Sequence, residues 1–204
     1  MKITKIEQQK NNKERINIYI NGEFAFGLMM EIKYKYDLKE GMELDEDYIQ
    51  KVLKEEELSK AKDQALKFLT YRQRSKKEII NKLKSKGYEE DIIENTLSYL
   101  EEYGLVNDVE FAKAFMRDKI NLNKFGPTRI KYELYKKGID DSIIEEVLEE
   151  DDEEYTRALV LAKKKLPSYK KDDKKAIYRK LGGFLQRKGY SYDCINRVLK
   201  ELVK

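Results

Sequence analysis

The sequence predicts a mainly α-helical protein in which three tandem three-helix modules form an elongated array, preceded by a small N-terminal β-hairpin or meander. One observation is a pattern of leucine, glycine, isoleucine and leucine that recurs with unchanged internal spacing at an offset of 51 residues. Another is an early stretch that alternates in period two. The recurring pattern occupies positions 83, 87, 93 and 97, then 134, 138, 144 and 148, and finally 185, 189, 195 and 199.

The N-terminal segment has the signature of a β-hairpin. Residues 15–20 alternate between apolar and polar side chains, and residues 23–28 form the return strand. Asn21-Gly22 between them supplies the positive φ angles of a type I′ turn. An earlier strand near Ile3 would complete a three-stranded meander. Such a sheet is close to the lower limit of independent stability, so we expect it to pack on neighbouring helices.

The connection from this sheet to the helical modules is predicted to be irregular at first. Residues 34–44 are interpreted as a connecting segment with a helical turn before Gly41, and residues 46–53 as a short helix. A charged run at 55–57 then leads into the first module. The predicted segments are residues 1–57 for the β segment with its short helix, and residues 58–106, 107–154 and 155–204 for the three modules.

Helix-capping signals mark the elements of the first module. Ser75 followed by Glu78 fits a capping box, in which the hydroxyl and the carboxylate satisfy the first free amides of a helix. Gly87 ends that helix, because glycine adopts the left-handed C′ conformation without steric cost. The predicted helices of this module cover residues 58–70, 75–86 and 89–103.

Similar signals mark the second and third modules. Asn107 and Ser191 are predicted N-caps. Pro127 occupies the first position of its helix, where its missing amide costs nothing. In the third module, a first helix ending near residues 166–167 precedes a lysine-rich connector at 169–175. In the second module, Asp140 is the predicted cap of a third helix that extends to about residue 150.

The composition excludes several kinds of enzyme. The chain has no histidine, which removes the commonest general base and the commonest transition-metal ligand. Its single cysteine, Cys194, lies on an apolar helical stripe and is interpreted as core packing. We therefore expect no catalytic residue, no metal and no cofactor. A lone cysteine suits a reducing cytosol, and no apolar run approaches the ~20 residues of a membrane span. A cytoplasmic protein without membrane contact is therefore expected, and a monomer is the expected oligomeric state.

An acidic run at residues 149–154 consists of six consecutive carboxylates. A calcium site is one interpretation, but the run lacks the alternating ligand spacing and central glycine of an EF-hand. A solvated junction between modules is the better interpretation. The run could also hold the basic third module off, or bind it from within the chain.

Charge is distributed unevenly along the chain. The net charge is +4, yet residues 156–204 alone contain 15 basic and 4 acidic side chains, a net charge of +11. For any single lysine, helix solubility is the better explanation, but it does not account for this excess. We define the basic stripe as the cations near equivalent turns of the three modules, together with Arg187 and Lys188 one helix later. We predict that it binds a polyanion. The basic stripe comprises Arg72, Arg74, Lys76, Lys77, Arg117, Lys124, Arg129, Lys163, Lys164, Lys170, Lys171, Lys174, Lys175, Arg179, Lys180, Arg187 and Lys188.

Tyrosines offer a second signal. The chain contains 15 of them, and aromatic rings can stack on unpaired bases. Helix packing explains most of them equally well, including Tyr99 and Tyr132.

These motifs together resemble the RecX family of regulatory proteins. The first module contributes YRQRS at 71–75 and KGY at 86–88, and the second contributes GPTRI at 126–130 and KGI at 137–139. The third contributes a longer set. Its segments are RKLGGFL at 179–185, RKGY at 187–190 and SYD at 191–193. The resemblance covers about residues 60–200, and the N-terminal hairpin resembles an extension found in some members.

The resemblance implies a non-enzymatic inhibitor of the RecA recombinase. Family members bind RecA filaments on single-stranded DNA, lie along the filament groove and impede filament growth or ATP turnover. They thereby reduce strand exchange and RecA-stimulated repressor cleavage. The family supplies no catalytic residues, so the basic stripe is assigned here from charge placement alone. The alternatives are a free-standing DNA-binding protein that acts on duplex DNA without RecA, and a structural adaptor of acidic proteins.

Overall fold

The computed structural model describes residues 1–149, 151 and 153–203, and it confirms the predicted fold class of three three-helix modules after a small N-terminal sheet. The described residues form ten α-helices and one three-stranded antiparallel sheet. They separate into two compact units. The first unit contains residues 1–71 and 82–99, and the second contains residues 72–81 and the described residues from 100 to 203.

The first unit begins with the predicted meander. Strands β1 (Ile3–Gln8), β2 (Arg15–Ile20) and β3 (Glu23–Met29) pair in the order β1-β2-β3, antiparallel throughout. Asn21 and Gly22 at the β2–β3 turn have φ angles of 54° and 92°, as a type I′ turn requires. The buried face of the sheet packs with the helices that follow into one hydrophobic core.

Two helices follow, and both differ from the sequence prediction. Helix α1 (Met30–Lys35) starts earlier than the predicted turn before Gly41. Helix α2 (Glu46–Leu69) is a single helix of 24 residues, so the prediction of separate helices over 46–53 and 58–70 was wrong. The charged run at 55–57 contains no helix-breaking residue, and glutamate is a good helix former. The boundary predicted after residue 57 falls inside α2.

A buried carboxylate explains why that charged run belongs to the helix. Glu56 is only 3% exposed. Its carboxylate accepts a hydrogen bond of 2.7 Å from the Met29 amide and pairs with Arg15 at 2.8 Å. The run that resembles a polar linker in sequence therefore places one acid against the end of the sheet.

Helices α3 (Lys76–Lys84) and α4 (Glu90–Glu102) each contribute residues to both compact units. The predicted capping box is present at the start of α3. The Glu78 amide donates to Ser75 Oγ at 3.3 Å, and the Ser75 amide donates to the Glu78 carboxylate at 3.4 Å. Gly87 ends this stretch with a φ angle of 85°.

The second unit continues with α5 (Asp108–Asp118), α6 (Pro127–Lys136) and α7 (Asp141–Glu149). The Asn107 side chain accepts from two amides at the start of α5, and Pro127 opens α6, both as predicted. A π-helical turn, Lys119–Asn123, separates α5 from α6 and was not predicted. The three helices bury a common apolar core.

The chain then forms α8 (Glu154–Lys165), a 3-10 turn (Leu166–Tyr169), α9 (Lys174–Lys188) and α10 (Tyr192–Leu202). Asp173 caps α9, so Lys174 and Lys175 belong to the first turn of α9 rather than to the predicted connector. Ser191 caps α10 as predicted, accepting from the Cys194 amide. Helices α8, α9 and α10 share a second apolar core in this unit.

Candidate nucleic-acid interface

All residues of the basic stripe lie in the second compact unit. Their surroundings separate them into two groups. Most cations near the start of α3 and α6 contact other groups of the chain. Most cations of the third module project into solvent.

The first group surrounds a contact that we call the first joint, where the N-terminus of α3 meets the C-terminal end of α6. Ser75 is fully buried there, and its Oγ donates a hydrogen bond of 2.7 Å to the carbonyl of Lys137. Close by, the Lys76 amide donates to Asp108 Oδ1 at 2.9 Å. Burial raises the pKa of Asp108, and the bond from the Lys76 amide opposes that rise.

Glu78 gathers two cations at the first joint. Arg72 Nη2 lies 2.8 Å and Lys137 Nζ lies 2.6 Å from its Oε1. Burial raises the pKa of Glu78, but hydrogen bonds and charge from Arg72 and Lys137 outweigh that effect and hold the pKa at about 2. The carboxylate is therefore ionised at neutral pH and binds Arg72 at the joint, although the Arg72 side chain is 46% exposed.

The other cations of this turn also have contacts within the chain. Lys76 forms a hydrogen-bonded ion pair with Glu101. The hydrogen bond to Glu101 raises the pKa of Lys76 above its usual value. The side chain of Lys77 lies against Gly138, where a Cβ atom would come within 2.2 Å of Lys77 Cδ. Burial lowers the pKa of Arg74, and the neighbouring charge of Arg72 lowers it further.

The second joint is the corresponding contact between the N-terminus of α6 and the C-terminal end of α9. The Gly126 amide donates to the Lys188 carbonyl at 2.9 Å, and the Thr128 amide donates to the Gly189 carbonyl at 3.0 Å. Residues 126 and 188 each lie 51 positions after Ser75 and Lys137. A Cβ atom on Gly126 would be 2.5 Å from the Gly189 carbonyl oxygen, so only glycine fits.

The cations around the second joint are paired as well. Arg129 Nε lies 3.2 Å and Lys119 Nζ 2.9 Å from the Glu133 carboxylate. Burial raises the pKa of Glu133, but hydrogen bonds from these two cations lower it overall. Lys188 Nζ donates to the Asn123 carbonyl at 2.8 Å. Arg129 and Lys188 thus stabilise the turn between α5 and α6.

Arg117 and Lys124 are exposed. The Lys124 carbonyl accepts a hydrogen bond of 3.2 Å from the Tyr190 hydroxyl, close to the second joint. Lys124 ends the π-helical turn with a φ angle of 53°. Arg117 lines a groove with Asp151 and Glu153, which makes the surroundings of this cation partly acidic.

The third module presents most of the solvent-exposed cations of the basic stripe. Lys163 is paired with Glu201 at 3.6 Å, and Lys180 with Asp172 at 2.6 Å. The others are exposed and form no ion pair with any residue that the structure describes. These are Lys164, Lys170, Lys171, Lys174, Lys175, Arg179 and Arg187.

The acidic run contributes to the third module from within the chain. Arg157 Nη1 lies 2.6 Å from Asp151 Oδ1, and both side chains are largely buried. The Glu154 carboxylate accepts from the Ser191 amide at 2.7 Å. Two of these acids therefore bind the third module, as one of the interpretations proposed. Residues 150 and 152 of the run lie outside the described residues.

Sequence reasoning missed the carboxylates that pair with the cations. The i,i+4 spacing of Arg129 and Glu133 was readable as a helix-surface pair. The approach of Lys137 to Glu78 was not, because it depends on tertiary structure. Among the tyrosines, Tyr99 is half-buried, whereas Tyr132 is more than half exposed, so packing does not account for Tyr132.

The described part of the chain gives little support to a nucleophilic cysteine, a metal site or a membrane-spanning helix. Cys194 is buried in the core of the third module, and burial raises its pKa to about 11. Such a thiol is protonated at neutral pH and is a poor nucleophile. No three His, Cys, Asp or Glu residues in the described ranges group as metal ligands would. None of the helices described here is both apolar and long enough to cross a bilayer.

The sheet, the capped three-helix modules and the repeated joint define a class of protein built from tandem three-helix domains. Family models agree with that class. A model described as "Regulatory protein RecX N-terminal domain" matches residues 1–45. Models of the first, second and third three-helix domains of RecX match residues 61–100, 107–148 and 151–199.

Relatives match nearly the whole chain, and solved structures match between 72% and 98% of it. A regulatory protein RecX of Clostridioides difficile is 43% identical, over 98% of this chain and 95% of that protein. One of Clostridium tetani is 39% identical, over 99% and 94%. A crystal structure of regulatory protein RecX has a TM-score of 0.81 at 32% identity, over 98% of both chains. A RecX structure from Lactobacillus salivarius has a TM-score of 0.68 at 34% identity, over 72% of this chain and 96% of that one. The chain belongs to the RecX family.

Proposed function

We propose that this protein is a non-enzymatic regulator that binds RecA filaments on single-stranded DNA. It inhibits the ATPase, recombinase and coprotease activities of RecA, and so modulates DNA repair and the SOS response in the cytoplasm. It acts as a monomer without a cofactor. The observation that carries this proposal is the match, over almost its full length, to relatives named regulatory protein RecX.

The repeated joint supports the proposal physically. Two contacts at equivalent positions, 51 residues apart, join the ends of the successive helices α3, α6 and α9. A protein of repeated modules can contact successive protomers of a helical filament. Each contact can be weak, because linkage raises the effective concentration of the next one.

The chemistry of the described titratable groups also supports a binding role. The low pKa of Glu78 results from two cations at a structural joint. The Cys194 thiol is buried in a core. Neither arrangement places a nucleophile beside a base in an open cleft, as covalent catalysis requires.

The direct test is a titration of the protein into RecA bound to single-stranded DNA while ATP hydrolysis is followed. We expect hydrolysis to fall as the protein approaches stoichiometric amounts. Electron microscopy of the same samples should show the protein along the filaments. Unchanged ATP hydrolysis at a clear excess of protein would contradict the proposal.

A second candidate is a free-standing tandem helical DNA-binding protein that acts without RecA. The exposed, unpaired cations of the third module favour this alternative, because they can bind phosphates directly. It predicts tight, salt-dependent binding to duplex DNA and no effect on RecA. Duplex binding and RecA-dependent ATP hydrolysis, measured on one preparation, separate the two candidates.

A further inference from the structure

Two grooves adjoin on the surface of the third module. One has a volume of about 560 Å³ and is lined by the first turn of α9, including Lys174, Lys175 and Arg179. The other has a volume of about 500 Å³ and lies along α9 and α10. Tyr178 and Arg179 line both grooves, so the two grooves adjoin along these side chains, and we treat them together as one surface.

Tyrosine rings are exposed in the α9–α10 groove. Tyr178 is 41% exposed and Tyr192 is 78% exposed, although both are large aromatic side chains. The Tyr178 hydroxyl donates to Asn196 Oδ1 at 3.4 Å, which restrains the ring. Tyr190, which also lines this groove, is only 3% exposed and belongs to the core. Core packing therefore accounts for Tyr190 but leaves Tyr178 and Tyr192 without a structural explanation.

The adjoining groove is cationic. Lys174, Lys175 and Arg179 line it and form no ion pair with a described residue. The acid in its lining, Asp173, accepts a hydrogen bond of 2.6 Å from the Ala176 amide and caps α9. The surface thus combines unpaired positive charge with exposed aromatic faces.

We propose that this surface is a subsite for single-stranded nucleic acid in which bases stack on Tyr178 and Tyr192. Lys174, Lys175 and Arg179 hold the phosphates. Every base has a π-face, and stacking on aromatic side chains beside a cationic groove is the usual means of binding single strands without sequence preference. Duplex DNA hides these faces inside its stack. The inference rests on the proposed function in that it names where that function meets DNA.

The test uses the full-length protein without RecA and measures binding to two fluorescently labelled oligonucleotides of equal length. One is oligodeoxythymidylate, and the other carries abasic sites, so that both present the same phosphates. Tyr192→Ala should weaken binding to the thymidylate probe at least about 5-fold and leave binding to the abasic probe unchanged. Tyr192→Phe should restore binding, because it keeps the ring.

The cations are tested on the same two probes. The double variant Lys174→Gln/Lys175→Gln should weaken binding to both equally. It should also reduce the slope of log affinity against log salt by about 1.4, the value for two lost single-strand phosphate contacts. Tyr135→Ala is the matched control, since Tyr135 on α6 is 63% exposed and lines neither groove. This variant should leave the affinity for both probes unchanged.

The inference would be overturned if the wild-type protein did not bind thymidylate at low salt. It would also be overturned if Tyr192→Ala lost affinity equally for both probes, or if Tyr135→Ala lost a comparable affinity. Preference for an acidic peptide over either oligonucleotide would likewise assign the surface to a protein partner instead. The proposed function fails separately. A protein that shows base-dependent binding but leaves RecA hydrolysis unchanged contradicts RecA regulation alone.

Discussion

The two joints occupy equivalent positions, yet different atoms form them. At the first joint a side chain, the Ser75 hydroxyl, donates to the Lys137 carbonyl. At the second joint the Gly126 amide donates directly to the Lys188 carbonyl, without any side chain at position 126. A side-chain hydroxyl therefore makes the contact at the first joint, and main-chain atoms make the equivalent contact at the second joint.

This difference predicts different vulnerabilities. The second joint depends on the absence of a side chain, so added volume should disrupt it. The first joint depends on a hydroxyl and on the ionised Glu78, so loss of a polar group or of charge should weaken it.

Gly126→Ala should have the largest effect. Its Cβ would lie 2.5 Å from the Gly189 carbonyl oxygen and the Tyr190 amide nitrogen, which are backbone atoms that cannot rotate away. We expect a loss of about 3 kcal/mol in the free energy of unfolding, measured by urea denaturation. Gly183→Ala is the control, because its nearest neighbour is the flexible end of Arg187 at 3.4 Å. This α9 substitution should stabilise the protein by about 0.5 kcal/mol or more. Equal stability of the two variants would show that the second joint is looser than described.

Ser75→Ala should have the next largest effect. It removes the N-cap of α3 and leaves the Lys137 carbonyl without its partner. We expect a loss of about 2 kcal/mol, since a lost cap and a buried unpaired carbonyl each cost about 1 kcal/mol. Ser168→Ala, which removes an exposed hydroxyl bonded to Lys165 O, should change stability by less than about 0.5 kcal/mol. A Ser75→Ala protein as stable as wild type would mean that the hydroxyl does not support the first joint.

The pH dependence of the first joint should be measurable and smaller. Folding lowers the pKa of Glu78 from 4.5 to about 2, so its stabilising contribution is complete above pH 4.5 and is lost as pH falls towards 2. Solvent screening reduces the effect, and we expect about 1 kcal/mol between pH 6 and pH 3. The measurement is the stability difference between wild type and Glu78→Gln at both pH values. That difference should be smaller at pH 3 than at pH 6. An equal difference at both pH values would contradict a lowered pKa of Glu78 in the folded protein.

Lys170→Gln/Lys171→Gln should have the smallest effect on stability. Both side chains are exposed and form no ion pair with a described residue. We expect a change within about 0.5 kcal/mol of wild type by urea denaturation. Arg72→Gln removes a cation that is paired with Glu78 and should destabilise more. If the two variants are equally stable, the division of the basic stripe into joint and surface cations is wrong.

Much of the fold could be predicted because local sequence patterns determine its helix ends and its turn. Capping residues such as Asn107 and Ser191 act within a few residues of themselves, and the structure places them as expected. The meander likewise follows from alternation and from Asn21-Gly22. The continuity of α2 was missed because a charged run resembles a linker until a buried partner for Glu56 is known.

The basic stripe was predictable only as a list of cations. Their pairing depends on distances across the fold, such as that from Lys137 to Glu78, which no spacing in the sequence encodes. The two joints show the same limit. The 51-residue repeat predicts equivalent positions, but it does not predict that a hydroxyl at one joint corresponds to a bare amide at the other.

Because main-chain amides form the second joint, amide hydrogen exchange can measure its opening. The amide protons of Gly126 and Thr128 are the bonding atoms themselves, so their exchange with deuterated solvent requires the α6–α9 contact to open. Exchange at these two positions therefore measures how often neighbouring modules separate, without any label or substitution. At the first joint the proton donated to the Lys137 carbonyl belongs to the Ser75 hydroxyl, so that bond gives no amide-exchange record.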